Sequence, residues 1–362
     1  LGNLTGFMTS PIVFFFLSSG LFLGWSLGAN NASTVFGTAV STQMVRFSTA
    51  ALILSVFVIL GAVIGGAGAT QGLTELGAVN AVGGAFTVAL AAALTVYWMT
   101  QLNIPVSISQ AVVGAIIGWN FFSGSPTNLS VVLKIVSTWV ACPVLSGLFS
   151  AVLYKSITWG LQRQKLHLLR LDSYTRWGLI VVGALASYAL GANNIANVMG
   201  VFVPSDPFRA IAVGHFGEIS AAQQLFLLGA IAIAVGVYTD SQKVMMTVGN
   251  NLMPLNPIGA FVVVLAEFIV LFIFSSSSLQ HLFIQWGLPP IPLIPVSSAQ
   301  AAVGAVIGVG LLKGAKGARQ INWRVLQDIV SSWIFTPIMA AVISFILLFV
   351  VQNVFDQPVY LR

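Results

Sequence analysis

Long apolar runs with almost no charge narrow what this chain can fold into. Ala50–Ile64, Ala85–Met99 and Ile338–Val351 carry no charged residue, and their flanks extend them to spanning length. The 362-residue chain is 57% hydrophobic and only 6% charged, where soluble domains carry about a quarter charged residues. No soluble fold covers that much apolar surface, so most of the chain belongs in lipid. There the backbone must satisfy its own hydrogen bonds, which a helix does within one segment. The formal charge of +6 does not point to nucleic acid, because the basic residues gather in short loops, the pattern of membrane topology. Cys142 stands alone, which excludes an intrachain disulfide framework, and it reads as a small buried apolar residue. The chain opens with Leu, and its first residues carry no positive n-region, so a cleaved signal peptide is not expected.

Polar islands interrupt the apolar runs, and they occur in pairs. Leu27–Gly37 reads LGANNASTVFG, and Leu190–Gly200 reads LGANNIANVMG. Gly weakens a helix, and paired Asn offers donors and acceptors where hydrocarbon offers none. Two such islands at matching places predict interrupted helices that bind something polar near the bilayer midplane. The competing reading is that the small residues let helices pack closely while the amides hydrogen-bond across them. A second pair is IPVSISQ at Ile104–Gln110, running into AVVGAIIGW, and IPVSSAQ at Ile294–Gln300, running into AAVGAVIGV. Pro and Ser ahead of a small-residue stretch signal a helix start. Inside a membrane, such a start presents free N–H groups and positive dipole charge to an anion. An ordinary interfacial cap is its plainer reading. IVSTWVACP (Ile135–Pro143) returns as IVSSWIFTP (Ile329–Pro337). Three paired motifs in one order mark an internal duplication.

The expected organisation is a membrane repeat over residues 1–153, a basic linker over 154–176 and a second repeat over 177–362. The linker carries Lys155, Arg163, Lys165, Arg170 and Arg176 against Asp172, between Trp159 and Trp177 as interfacial anchors. The loop Asn120–Asn128 has no Lys or Arg, whereas its counterpart after the second PVS helix carries Lys313, Lys316, Arg319 and Arg324. By the positive-inside rule these equivalent loops lie on opposite sides, the mark of inverted repeats. The expected fold class is therefore an all-α polytopic membrane protein of two inverted-topology repeats. Each has about five crossings, with broken or re-entrant helices at the midplane. The linker is expected in the cytoplasm and both termini outside. Glu267 lies inside an apolar run, which is costly unless it faces the interior, so a functional or ion-binding role is expected of it. Glu75 and Asp240 read as loop residues near span ends.

These motifs, with KVMMTVG after Asp240, resemble the inorganic phosphate transporter (PiT) family over nearly the whole chain. The resemblance implies a carrier of inverted repeats that symports inorganic phosphate with sodium or protons in the plasma (inner) membrane, in many members as a homodimer. Some relatives are similar to sulfate permeases. The family pattern GAND-V-A-N appears here with Asn31 and Asn194 in the acid's place, and with Thr34 where the second copy keeps Asn197. Its PVS-T-T-H appears with Gln110 and Gln300 in the histidine's place. Proton coupling needs a titrating group, which Asn, Gln and Ser are not. Sodium suits the lost acids better, since amide and backbone carbonyls coordinate it. The expected anion site is Ser107, Ser109, Gln110, Ser297, Ser298 and Gln300, assisted by Asn31 and Asn194. The expected sodium site is Asn30 and Asn193 with the carbonyls of Gly28 and Gly191. Glu267 is the coupling carboxylate among these expectations. Beyond sodium, no metal and no cofactor are expected.

Phosphate near neutral pH carries a proton that needs an acceptor, whereas sulfate needs only donors. The amide and hydroxyl site therefore leaves sulfate as the second substrate. An anion channel would use the same donors without a bound cation. An intramembrane enzyme is not expected: there is no HExxH, and His167, His215 and His281 are scattered.

Overall fold

The computed structural model describes residues 11–101, 106–164, 167–205, 207–212 and 218–361. The first half contains α1 (Pro11–Ser41), α2 (Phe47–Thr74), α3 (Val82–Gln101), α4 (Ile108–Ser123) and α5 (Leu129–Gln164). The second contains α6 (Leu168–Met199), α7 (Ala221–Asn251), α8 (Pro257–Ser275), α9 (Ser277–Gln285), α10 (Ser298–Leu312), α11 (Gly314–Ala318) and α12 (Trp323–Asn353). After α6 come a 3-10 turn at Gly200–Ser205 and a small antiparallel pair, β1 (Ile211–Ala212) with β2 (Glu218–Ile219). Pro105, Lys165, Asp206 and His215 lie outside the described residues.

Eight of the helices are long and apolar enough to cross a membrane. The PVS helices α4 and α10 are shorter, at 16 and 15 residues. At 1.5 Å per residue they reach about 22–24 Å, short of a hydrocarbon core about 30 Å thick. They are the half-length elements expected at the midplane. The protein is thus an all-helical integral membrane protein.

The halves pack by exchange. α1 lies along α7 as α6 lies along α2, and α4 lies along α12 as α10 lies along α5. The same devices recur at each matched pair. A Cβ on Gly28 would collide with the Ile233 carbonyl, and one on Gly191 with the Val58 carbonyl. Gly114 sits on the Pro337 backbone, and Gly304 sits on that of Pro143. Ser344 Oγ donates to the Ala115 carbonyl at 2.8 Å, and Ser150 Oγ donates to that of Ala305 at 2.8 Å. Without water between helices, this close backbone approach supplies the dispersion contact that holds a membrane bundle. In their most apolar windows, α5 and α12 bury only 28% and 22% of residues, so they form the lipid-facing rim.

Two expectations are corrected. The GANN segments do not interrupt their helices: α1 and α6 run straight through them. Gly28 and Gly191, expected to offer carbonyls at a break, instead make room for a crossing helix. Within residues 154–176, α5 continues to Gln164 and α6 begins at Leu168. Arg163 stacks on Trp159, and Arg176 pairs with Asp172 on the exposed helix ends. Asp240, read as a loop residue, is exposed within α7. Glu75 lies in the expected place, exposed just past the end of α2.

Candidate functional site

Ser107 and Ser297 stop the extended chain and start the two half-length helices. Both have extended backbone angles, and each hydroxyl accepts the N–H three residues on, from Gln110 at 3.4 Å and from Gln300 at 3.3 Å. Ser109 Oγ donates to the Val296 carbonyl at 3.3 Å, which sets the two helix starts side by side. Two N-termini meeting inside the bundle concentrate N–H groups and positive dipole charge at one point.

The GANN helices close that point from both sides, and again by exchange. Asn31 of α1 donates to Ser298 Oγ of the second half at 2.8 Å. Asn197 of α6 donates to Ser109 Oγ of the first half at 3.0 Å and to Asn194 Oδ1 at 3.2 Å. Thr34, one turn beyond Asn31, reaches Glu267 Oε1 at 2.7 Å. The centre therefore unites Ser107, Ser109, Ser297, Ser298, Asn31 and Asn194, all buried, with Glu267.

Several polar atoms here are sealed from solvent without a partner. Both amide atoms of Gln110, of Gln300 and of Asn193 are of this kind, as are Glu267 Oε2 and Asn197 Oδ1. A buried polar atom left unpaired costs about 1–3 kcal/mol. Such atoms are rare in native proteins, and a cluster of them beside paired helix starts has the chemistry of a polar ligand's seat. Asn30 differs from its counterpart Asn193: it is half-buried and donates to the Ser26 carbonyl of its own helix at 3.2 Å.

One further residue borders the centre. Cys142 Sγ lies 3.6 Å from the Ser297 carbonyl, so this thiol abuts the second helix start instead of merely filling apolar space. Thr336 holds the matching place before Pro337 and is fully buried, with an unpaired hydroxyl. Their shared position ahead of the proline in the repeated WxxxP pattern is the sequence signal that marks them. His167 instead caps α6 by accepting the Leu169 N–H, and His281 is exposed on α9.

Fold and site together define a polytopic helical membrane protein with a polar centre sealed between its halves. The chain belongs to the phosphate transporter family, whose profile matches residues 27–344. It is similar to a protein named "Putative phosphate permease" in Methanocaldococcus jannaschii, 27% identical over 90% of this chain and 93% of that one. One of the same name in Haemophilus influenzae is 23% identical over 93% of this chain and 96% of that one. A solved structure named "The sodium-dependent phosphate transporter" shares the fold, with a TM-score of 0.76 over 95% of this chain and 99% of that chain, at 23% identity.

Proposed function

We propose that the protein is a secondary active transporter that imports inorganic phosphate together with sodium by alternating access. The carrying observation is the pair of orphaned glutamine amides, Gln110 and Gln300, at the adjoining starts of α4 and α10. In each, both the donor Nε2 and the acceptor Oε1 are unpaired. A phosphate that retains a proton uses both atoms, whereas sulfate accepts only and leaves the acceptor facing its charge. The hydroxyls of Ser107, Ser109, Ser297 and Ser298 and the helix N–H groups add donors, with Asn31 and Asn194 alongside. The family and the names of its relatives support the same substrate.

Sodium offsets the cost of holding an anion in a low-dielectric site, and Glu267 is the coupling carboxylate. The name of the structural neighbour supports sodium. The grouping of helices supports alternating access. α1, α2, α6 and α7 pack as one body, while α4 with α12 and α10 with α5 form two outer pairs, joined to that body through α3 and α8. Their exchange of contacts is what a pseudo-two-fold axis between inverted repeats produces. Movement of the outer pairs against the central body opens the centre to each side in turn. The protein sits in the plasma membrane, with the basic ends of α5, α6 and α10 in the cytoplasm.

Uptake of labelled phosphate and labelled sulfate into proteoliposomes, with and without an inward sodium gradient, tests this reading. Sodium-driven, saturable phosphate accumulation is expected. Sulfate uptake with phosphate excluded would reassign the substrate, and uptake of either without accumulation would make the protein a channel.

A further inference from the structure

The two half-length helices end alike and then part. Gly124 and Gly314 stand just past the ends of α4 and α10, with φ of +71° and +67°, in the left-handed region that glycine adopts without strain. The PVS motifs lie 190 positions apart, from Ile104 to Ile294, and so do these glycines. The repeated WxxxP motifs lie 194 apart, from Ile135 to Ile329, so the second copy has four extra residues between Gly314 and α12. In the first copy Ser125–Asn128 leads straight into α5 and carries no Lys or Arg. In the second copy the longer segment forms α11 and carries Lys316 and Arg319, between Lys313 and Arg324. The first copy closes without such an addition, so the shared fold does not require it.

The added segment folds back on α10. Gly317 is buried, and a Cβ there would collide with the Gly310 carbonyl and with Lys313 Cβ. Lys313 Nζ lies 5.6 Å from the centre of the Tyr154 ring, a cation–π contact that ties this turn to α5 next to Lys155. Trp323 Nε1 donates to the Ala318 carbonyl at 3.1 Å and fixes the entry to α12. Lys155, Lys316, Arg319 and Arg324 are exposed. Among the described residues the one ion pair is Arg176 with Asp172, so these cations have no carboxylate partner. No Asp or Glu occurs from Phe268 to Gln327. The same turn exposes three large apolar side chains, Leu311, Leu312 and Trp323.

Unpaired cations beside exposed apolar side chains, at the end of a membrane-crossing bundle, fit one kind of partner. An anionic phospholipid sets its phosphate against the cations and its acyl chains against the leucines and the tryptophan. A soluble anion satisfies the charge and leaves that apolar surface in water. Membrane topology asks for cations in this loop, but not for an inserted turn that gathers them against Tyr154. We infer that Lys155, Lys313, Lys316 and Arg319 hold the headgroup of one anionic phospholipid where α5, α10 and α11 meet. The lipid then anchors the far end of the half-length helix whose start carries Ser297, Ser298 and Gln300. The site lies apart from the polar centre and does not rest on the transport reading.

Native mass spectrometry of the purified full chain, with phosphatidylglycerol or phosphatidylcholine added, tests the inference. One phosphatidylglycerol retained per chain is expected, with phosphatidylcholine held at least about tenfold more weakly. Lys313→Gln combined with Lys316→Gln and Arg319→Gln should weaken phosphatidylglycerol binding by at least about tenfold. Lys316→Gln alone keeps the other cations, should the triple variant misfold or invert, and is expected to weaken binding about fivefold. Arg170→Gln with Arg176→Gln, on α6, should leave binding unchanged. Equal retention of both lipids, binding that survives the Lys and Arg changes on α10 and α11, or an equal loss from the α6 changes would overturn the site. Glycerol phosphate, a phosphate ester without acyl chains, should not displace the lipid at matched concentration. Displacement would assign the cations to a soluble anion instead.

Discussion

Thr34 and Asn197 occupy the same place in the two GANN copies and make different bonds, the first to Glu267 and the second to Ser109. The hydroxyl partner shifts in step: Ser109 is the third residue of its PVS motif's polar run and Ser298 the second. Each half therefore keeps one amide-to-hydroxyl bond across the interface, by different residues. Asn31→Ala or Asn197→Ala removes one such bond and is expected to cost about 0.5–1.5 kcal/mol, read as a lower melting temperature in detergent along with lower phosphate uptake. The glutamines should behave otherwise. Gln110→Leu and Gln300→Leu remove amides that bond to nothing in the protein. Melting temperature should hold or rise, because a buried polar atom without a partner is replaced by an apolar one. Phosphate uptake should fall at least tenfold, and unchanged uptake would exclude both amides from the anion site. These residues were legible in the sequence as paired polar motifs in apolar surroundings. The cross-pairing was not, since Asn31 meets Ser298 over 267 positions of chain.

At the scale of the element, glycine in the GANN motifs invites two readings, a break or a close crossing, and both need a missing side chain. The helices are unbroken, so the intrinsic cost of glycine, about 1 kcal/mol against alanine, is offset by backbone approach between α1 and α7 and between α6 and α2. Gly191→Val drives a branched side chain into the Val58 backbone. Overpacking of this kind costs about 1–3 kcal/mol, so a lower melting temperature or failure to recover a monodisperse protein is expected. A variant as stable as the unaltered protein would show that α2 and α6 do not depend on this contact. The half-length helices were easier to foresee, because Pro and Ser followed by small residues is a local start signal, and Ser107 and Ser297 act on it as caps. α9 and the pairing of β1 with β2 were not foreseen. Their segments carry mixed polar and apolar residues without a period, and tertiary surroundings set their form.

For the molecule as a whole, the duplicated motifs with unequal basic loops predict opposite sides for residues 120–128 and 313–324. Pro126→Cys and Lys316→Cys place exposed thiols in these two loops, while the native Cys142 is buried. A membrane-impermeant maleimide applied from outside intact cells should label the first and spare the second. Labelling of both from one side would refute the inverted repeats. The end of the chain adds a strap that composition does not announce. Asn80 exchanges two hydrogen bonds with the Leu361 backbone, and Trp119 Nε1 donates to the Val359 carbonyl at 2.9 Å, holding the tail across α3 and α4.

Membrane residence, helical class and duplication are all readable along the chain, because hydrocarbon permits few backbone solutions and a repeated motif is a local pattern. Which half supplies each partner is not readable that way. Thr34 meets Glu267 across 233 positions, and Asn197 meets Ser109 across 88. Those pairings arise where two copies of one fold cross, and the packing of backbone against glycine and proline sets the crossing. Among the described residues the one buried carboxylate, Glu267, stands on one side of that crossing, so the symmetry of the sequence becomes an asymmetry of charge.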